Sequence, residues 1–538
     1  MTDTNGDEGV IRAAGTVSAL TMLSRVLGLG RDIASAMIFG SGMFWDCFVL
    51  AFTVPNLFRA IFGEGALTSA FLPTVVSSRK EQGPEHTGRV ISAVITLLVL
   101  VLTATATVIA VGCLTYLALR GFNFRAHLTA TLLLILIFYL PLICGAAALG
   151  AALNAVKHFA MPALAPVLLN LLWIAGVLAV VPFVADPFHR ILILAAVVLL
   201  SGVLQLAVQL PVLRRYGLRV RLTRTVNLPE VGIVLRGMAP VVVALFLMEL
   251  TVLVDRIMAM TMVPGSGAVS ALFYANRLVQ LPLAIFGVAL GVAVFPAFRE
   301  LVVDQAYPRL WATLNLGIRL LLLLVLPSAA GLIVLGGPIV DLLFNWRAFA
   351  VEPDAAQRTC AALAAYATGL FFFSLGILVT RAFHAMNNRR FPALVAAGMV
   401  VVDIGLNILF LKATPLRETG LALTTSITAC LNVGVLLWYL NRTHGFNDTR
   451  GIGAALVRTA AAVMVMVVAV AVTAGIPLPA VMGLQLPVVT WDPGFMGKLL
   501  RVLAGVGAGV AAYAGAHLVL RTPELAQLGR LVRRGGRA

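Results

Sequence analysis

The sequence predicts an all-α polytopic membrane protein with fourteen transmembrane helices. Hydrophobic residues make up 61% of the 538-residue chain and charged residues only 11%, and the mean hydropathy is +1.01. A water-soluble protein of this length could not bury so much apolar surface in its core. One crossing of a bilayer needs roughly twenty apolar residues. Uncharged runs of about this length or longer occupy residues 90–119, 191–213, 278–298, 320–340, 359–380 and 502–520.

Charged loops, Pro/Gly turns and the lengths of the apolar runs place the individual helices. The first residues, MTDTNGDEGV, are polar and acidic, so we expect no signal peptide. Residues 336–358 are predicted to form a connection outside the cytoplasm that contains a short interfacial helix. In chain order, we expect the helices to be centred on Arg25, Phe62, Ala104, Leu142, Leu171, Gly202, Phe246, Ile285, Leu322, Ala367, Val401, Cys430, Val463 and Val510.

The placement of the basic residues predicts the orientation of the chain. The formal charge is +17, and the basic residues gather in SSRKEQGPEHTGR, RRYGLRVRLTRT, NRTHGFNDTR and the tail RTPELAQLGRLVRRGGRA. Cytoplasmic loops of membrane proteins collect Lys and Arg. An even number of helices puts both termini on one side, and all four segments then face the cytoplasm. Few aromatic residues lie among the basic residues of these segments, so we expect no nucleic acid partner.

An internal repeat predicts two lobes. The letters AIFG occur at residues 60–63 and again at 284–287, an offset of 224, and RDI at 31–33 corresponds to DRI at 255–257. An even number of helices separates the copies, so both enter the membrane in the same direction, as in transporters with parallel repeats. Chance similarity between apolar helices is the alternative.

The repeat divides the chain into three parts. We expect residues 1–225 to form an N-terminal lobe of helices 1–6 and residues 226–445 to form a C-terminal lobe of helices 7–12, related by a parallel pseudo-two-fold axis. Residues 446–538 are expected to form helices 13 and 14 and a basic cytoplasmic tail.

Charged side chains interrupt the first two helices. An arginine at the centre of a membrane helix costs roughly 2.5 to 3.5 kcal/mol. One interpretation is pairing within the protein, Arg31 with Asp46 and Arg59 with Glu64. However, arginines are in excess, and guanidinium groups bind phosphate through two parallel hydrogen bonds. The excess predicts a hydrated cavity for a phosphate-bearing cargo. The arginines are Arg25, Arg31, Arg59 and Arg277, and the acids are Asp32, Asp46 and Glu64.

The second lobe presents oxygen ligands inside apolar runs. Hard oxygen ligands suit a small cation, and hydrogen bonding between helices is the alternative role for them. No histidine set, P-loop or nucleophile motif stands out, and the five cysteines show no metal-binding spacing. We therefore expect a transporter rather than an enzyme, with no covalent cofactor. The candidate cation ligands are Asp255, Asp403, Asn407 and Thr424.

Several segments resemble the MurJ family of bacterial lipid II flippases, the MVF family of the MOP superfamily. They are TMLSRVLGLGRDIASAMIFGSG, DCFVLAFTVPNLFRAIFGEGALTSAFLP, PALAPVLLN, GVLQLAVQLP, FYANRLVQLPLAIFGVALGVAVFP and GLALTTSITACLN. The resemblance implies the MOP flippase fold. It also implies alternating-access transport of undecaprenyl-pyrophosphate-linked disaccharide-pentapeptide, lipid II, from the cytoplasmic to the periplasmic leaflet.

The resemblance also assigns roles to residues. It implies that Arg25, Arg31, Arg59 and Arg277 bind the pyrophosphate, supported by Asp32, Asp46 and Glu64. It implies a coupling sodium ion at Asp255, Asp403, Asn407 and Thr424, and a groove at helices 13 and 14 for the lipid tail. Three departures are Asn276 before Arg277, where many relatives carry Asp, Ala60 after Arg59, where a second Arg is common, and Asp403 before Asn407, the reverse of a relative's order.

Two other classes of function are the alternatives. Another MOP transporter could be a polysaccharide-lipid flippase or a cation-coupled multidrug antiporter, but a drug antiporter should present acids in its first lobe. A membrane enzyme acting on polyprenyl phosphates would need a metal-binding acidic pair or a catalytic His. We expect a monomer in the bacterial inner membrane, with both termini cytoplasmic and with lipid II, membrane lipids and the cell-wall synthesis machinery as partners.

Overall fold

The computed structural model describes residues 4–446, 449–476 and 494–524, apart from the side chains of residues 4–14, 63–66, 68, 69, 240, 244 and 248. In these ranges the regular structure is helical throughout. π-helical segments occupy Ala60–Phe71, Gly176–Val180 and Leu283–Val288, and a 3-10 turn occupies Val181–Phe183. The α-helices are α1 (Thr4–Phe39), α2 (Met43–Arg59), α3 (Leu72–Leu119), α4 (Phe124–Leu136), α5 (Tyr139–Ala155), α6 (Ala160–Ala175), α7 (Pro187–Arg215), α8 (Pro229–Met262), α9 (Ala268–Pro282), α10 (Ala289–Val303), α11 (Tyr307–Leu343), α12 (Ala348–Val351), α13 (Ala355–Ala385), α14 (Arg390–Ala413), α15 (Arg417–His444), α16 (Ile452–Thr473) and α17 (Phe495–Val519).

Thirteen helical segments in the described part of the chain are long and apolar enough to cross a membrane. The remaining long helix, α1, has 36 residues, which corresponds to about 54 Å and exceeds the thickness of a bilayer. Its apolar sequence is interrupted by the charged residues Arg25, Arg31 and Asp32. Each of the fourteen predicted centres lies in one of these segments. The prediction of an all-α, multi-pass membrane protein is confirmed, and the short helix predicted within residues 336–358 is present as α12.

The predicted loop SSRKEQGPEHTGR is helical on both sides of a kink. It lies within α3, where the backbone leaves the helical region at Gly83, with φ 79° and ψ 177°, just before Pro84. Glycine adopts a positive φ without strain, and proline disfavours the helical conformation in the residue before it. The prediction of a loop was wrong, because the second spanning helix continues to this kink and the third begins directly after it.

The chain separates into two compact units, Met1–Ile257 and Met258–Ala538. In the first unit α1 packs on α6, α2 packs on α4, and α5 contacts both α3 and α7. In the second unit α13 contacts α9, α11 and α15, while α16 packs against α11 and α17. The boundary between the units falls inside α8. The lobe limits at residues 225 and 445 stay a prediction.

The repeated letters AIFG share a rare backbone geometry. Residues 60–63 begin the π-helical segment Ala60–Phe71, and residues 284–287 lie in the π-helical segment Leu283–Val288. π-helical turns are uncommon and are frequently found at functional sites. Two apolar segments that match by chance would not be expected to share this geometry. The observation therefore supports the duplication that the letters predict.

The contact between α13 and α15 depends on a glycine. A Cβ atom on Gly369 would lie 2.5 Å from the Oγ atom and 2.8 Å from the Cα atom of Ser426. Seven residues later, a Cβ atom on Gly376 would lie 3.5 Å from Cγ2 of Val433, an ordinary contact. Small residues allow helices in membranes to approach closely. Gly369 therefore sets the distance between these two helices, whereas Gly376 does not.

We expect Gly369→Ala to destabilise the protein by about 1 to 3 kcal/mol, because the added methyl group overpacks the contact with α15. Gly376→Ala is the matched control on the same helix. It should be neutral or slightly stabilising, since alanine is the better helix former. Thermal unfolding of the purified protein in detergent measures both effects. Equal melting temperatures for the two variants would contradict this account of the packing.

Candidate functional site

A buried ion pair lies in the second half of α1. Arg31 is 7% exposed and Asp32 is 3% exposed. The Nε and Nη2 atoms of Arg31 both donate to Oδ1 of Asp32, at 3.0 and 2.7 Å. Burial of either charge alone would be costly, whereas a paired and hydrogen-bonded charge is tolerated. The acid that pairs with Arg31 is thus its sequence neighbour, where the pairing interpretation named Asp46.

Helix α6 holds this arginine from the other side. Nη1 of Arg31 donates to Oδ1 of Asn170 at 3.3 Å, and Nδ2 of Asn170 donates to the Ser24 carbonyl at 3.0 Å. The Trp173 ring centroid lies 4.7 Å from Cζ of Arg31. Nε1 of Trp173 donates to the Ser35 hydroxyl at 3.0 Å, and that hydroxyl donates to the Arg31 carbonyl at 2.8 Å. Together these contacts fix the guanidinium group in one orientation.

Asn170, Trp173 and Ser35 are not among the site residues predicted from the sequence. The only available signal was Asn170, a polar residue at the end of the apolar segment PALAPVLLN. The contact between Asn170 and Arg31 joins residues 139 positions apart. A single sequence carries no information about such a contact.

Aromatic rings of α2 extend the cluster. Trp173 makes edge contacts with Phe48 and Phe52, each with ring centroids 5.5 Å apart, and Phe48 stacks on Trp45 at 5.3 Å. Such rings bring large apolar area and a specific geometry. They lower the local dielectric on one side of Arg31, and this strengthens its electrostatic contacts.

Helix α2 carries two of the predicted charges. Asp46 is buried in the first turn, and Arg59 is half-buried at the last residue. Nε of Arg59 donates to Oδ1 of Asn56 at 2.9 Å, and the π-helical segment begins at the next residue. The side chain of Glu64 lies outside the described residues, so its pairing with Arg59 stays a prediction.

Two other arginines of the first unit differ in their surroundings. Arg25 is exposed on α1, six residues before Arg31. Arg256, on α8, donates a hydrogen bond to the Thr53 hydroxyl of α2, and that hydroxyl donates to the Val49 carbonyl at 2.6 Å. Arg256 is not among the residues predicted from the sequence. The structure thus adds Arg256 of α8 to the arginines that the sequence predicted on α1 and α2.

The fourth predicted arginine, Arg277, belongs to the second unit. It is half-buried on α9. Nη1 of Arg277 donates to Oε1 of Gln280 at 3.3 Å, and Cζ lies 5.2 Å from the Phe273 ring centroid. Its neighbours on the same helix hold it by a hydrogen bond and a cation–π contact.

Four side chains of α14 and α15 form a buried polar cluster in the second unit. Asp403 is only 1% exposed. Its Oδ2 accepts a hydrogen bond from Nδ2 of Asn407 at 3.1 Å, and its Oδ1 accepts one from the Thr428 hydroxyl at 3.1 Å. The Thr424 hydroxyl donates to Oδ1 of Asn407. Three predicted cation ligands are therefore in one place, and Thr428, one turn after Thr424, is an addition.

The donor set of this cluster is a carboxylate, an amide oxygen and two hydroxyls, all hard oxygen ligands of the kind that bind hard cations. Among the described residues, no group of three or more His, Cys, Asp or Glu side chains could hold a metal ion. Asp255, the remaining predicted ligand, is buried in α8 and belongs to the first unit. Its participation in the same cation site stays a prediction.

Comparison with known proteins places these features in a family. A family model described as lipid II flippase MurJ matches residues 35–487. The lipid II flippase MurJ of Burkholderia cenocepacia is 32% identical in sequence over 83% of this chain and 88% of its own length.

Two solved structures share the fold. A lipid II flippase MurJ in an inward closed conformation superposes with a TM-score of 0.72 and 22% identity, over 94% of this chain and 99% of that chain. An inward-facing multidrug resistance MATE family transporter of the MOP superfamily superposes with a TM-score of 0.65 and 16% identity, over 81% of this chain and 99% of that chain. The family model covers most of the sequence, and we conclude that the chain belongs to the lipid II flippase MurJ family.

Proposed function

We propose that this protein is a transporter that flips lipid II from the cytoplasmic to the periplasmic leaflet of the bacterial inner membrane, and so supplies peptidoglycan synthesis. Membership of the MurJ family supports the choice of cargo. The observation that carries the proposal is a buried arginine held by Asp32, Asn170 and Trp173 in a membrane helix. So many contacts to one costly side chain favour a functional role for it.

In this proposal the pyrophosphate of lipid II first contacts Arg25 and Arg59. Arg25 is exposed and Arg59 is half-buried, so both are more accessible than the buried Arg31. Arg31 joins them by exchanging its hydrogen bond to Asn170 for one to a phosphate oxygen. That bond is the longest of the three that Arg31 makes, at 3.3 Å, and the only neutral one. A charged acceptor makes a stronger hydrogen bond than an amide does. Arg277 is proposed to contribute the fourth guanidinium group.

The bound anion would also change the balance between conformations. Like charges on neighbouring helices repel one another, and the repulsion grows where water is excluded. A diphosphate that neutralises the arginines removes this repulsion and so favours the state in which the cavity is closed. We propose that closure on the cytoplasmic side follows cargo binding for this reason. Asp32 and Asp46 hold the site together in the absence of cargo.

The lipid tail is proposed to remain in the bilayer beside α16 and α17. The two helices pack through small residues: a Cβ atom on Gly509 would lie 2.8 Å from Cγ2 of Val470. Their outer faces carry exposed apolar side chains such as Val457 and Val510. A polyprenyl chain is chemically similar to this surface and to lipid acyl chains, so it need not enter the polar cavity.

We also propose that Asp403, Asn407, Thr424 and Thr428 hold a sodium ion, with Asp255 as a further ligand. The ion would neutralise the Asp403 carboxylate, which is buried and accepts hydrogen bonds from the Asn407 amide and the Thr428 hydroxyl. This role for the cluster rests on its donor set and on the resemblance to the family.

We expect single replacement of Arg25, Arg31 or Arg59 by Ala to reduce lipid II exposure at the outer leaflet by tenfold or more, because each change removes a charge-assisted contact worth about 1.5 to 3 kcal/mol. The assay uses a strain depleted of its own flippase. Arg389→Ala, at an exposed position in a loop, is the matched control and should export normally. If all three variants export at the wild-type rate while remaining inserted, the proposed cavity is wrong.

A second prediction concerns the position of Arg31. Asn170→Leu should lower export about tenfold, because Nη1 of Arg31 loses its acceptor and the α6 side of the site no longer orients it. The double variant R31A/N170L should lose much less than the sum of the two single losses, since only the hydrogen bond from Asn170 to the Ser24 carbonyl is independent of Arg31. The same export assay is applied to the wild type, the two single variants and the double variant. Additive losses would show that Asn170 acts independently of Arg31.

A third prediction tests the cation. When sodium replaces choline as the cation of the buffer salt, the melting temperature of the purified protein should rise, because an ion that binds only the folded state stabilises it. Asp403→Asn and Thr428→Val should abolish this sodium-dependent shift. Thr425→Val is the control, since the Thr425 hydroxyl donates to the Leu421 carbonyl within α15. A sodium shift that survives in D403N would exclude this site.

A further inference from the structure

The connection between α7 and α8 is an extended, strongly basic segment, residues 216–228, which we call the linker. Leu218 is fully buried and anchors its beginning, and the following residues adopt no helix. Arginines are exposed on the last turn of α7 and along the linker. They are Arg214, Arg215, Arg219, Arg221 and Arg224.

Backbone hydrogen bonds fix the linker to α3. The Arg221 amide donates to the Ser92 hydroxyl at 3.1 Å, and the Thr223 amide donates to the Thr96 hydroxyl at 3.0 Å. The Ser92 hydroxyl also lies 3.4 Å from the Arg219 carbonyl, which can accept from it. The linker is therefore not a free loop, because its backbone has defined partners. Its arginine side chains are left pointing outward.

The position of these contacts along α3 indicates the depth of the linker relative to the membrane. Arg89 is the last charged residue before the uncharged run at residues 90–119. Those residues span about 45 Å as a helix, which matches a bilayer including its head groups. Ser92 and Thr96 lie in the first two turns of this run. A bilayer aligned with this run would place the linker backbone in its head-group region, with Thr223 closer to the hydrocarbon than Arg221.

The side chains of the linker match that depth. Leu222 is 75% exposed between Arg221 and Thr223, and an apolar side chain in this position suits the acyl boundary. Tyr216 is also exposed at the start of the linker, and tyrosine is enriched at membrane interfaces. Arginine binds phosphate through two parallel hydrogen bonds. Apolar and cationic groups alternate here as they do in segments that lie on membrane surfaces.

We propose that the linker is a binding site for anionic phospholipid head groups, held at phosphate depth by Ser92 and Thr96. Its ligand is the phosphodiester of a lipid such as phosphatidylglycerol, with Arg219, Arg221 and Arg224 as the donors. An acidic cytoplasmic protein is a less suitable occupant, because the linker is bonded to the first two turns of an apolar membrane-spanning run. The site is independent of the proposed transport cavity and of its cargo.

The test uses the full-length protein reconstituted in phosphatidylcholine vesicles, with spin-labelled phosphatidylglycerol or phosphatidylcholine as the probe. Electron spin resonance measures the fraction of each probe that the protein immobilises. We expect the wild type to prefer phosphatidylglycerol and the triple variant R219Q/R221Q/R224Q to lose most of that preference, with an association about tenfold weaker. The matched control R309Q/R389Q/R390Q removes three exposed arginines elsewhere and should keep the preference.

Two outcomes would overturn the proposal. An unchanged preference in the triple variant would mean that the arginines of the linker bind something other than lipid, such as a protein. An equal loss in the control would mean that net charge, and not this segment, selects the lipid. Depth is tested separately with Leu222→Trp, whose added fluorescence should be quenched by lipids brominated near the head of the acyl chain. Quenching by aqueous iodide instead would place the linker in water and contradict the proposed depth.

Discussion

The first unit is organised around the cost of placing a guanidinium group inside a membrane helix. Arg31 meets that cost with one carboxylate, one amide and one aromatic face, supplied by α1 and α6. Because Asn170 also bonds to the Ser24 carbonyl, the same side chain holds the arginine and fastens the two helices together. Replacing Arg31 would remove the ion pair from the buried Asp32 carboxylate, which is costlier than an apolar pair in the same place. The charge of Arg31 therefore contributes to the stability of the first unit.

The second unit handles buried polarity in a different way. Asp403 is buried as deeply as Asp32, but its partners in α14 and α15 are an amide and a hydroxyl. Asp32 is paired with Arg31, whereas Asn407 and Thr428 are neutral donors to Asp403. The polar centres of the two units thus differ in the donors that meet their buried carboxylates.

Helix positions could be predicted from the sequence because apolar runs and charged interruptions are local signals. The kink at Gly83 could not be predicted in the same way. A Gly-Pro pair in a charged segment predicts a loop, whereas the helical structure on both sides of Gly83 depends on packing. The partner of Arg31 was also missed. Adjacent residues on a helix point about 100° apart, so spacing favours a more distant acid, but a long flexible side chain can fold back onto its neighbour. Asn170 and Thr428 could not be found because their contacts cross between helices.

The hydrogen bonds between the linker and α3 have a consequence for how the chain is assembled. Every described partner of residues 219–223 in these bonds, Ser92 and Thr96, lies earlier in the sequence. Chains are synthesised from the N-terminus and domains generally fold as units. The docking surface for residues 219–223 is therefore already translated when these residues leave the ribosome. The first six spanning segments can therefore be ordered, with the linker docked on α3, before the second unit has been synthesised.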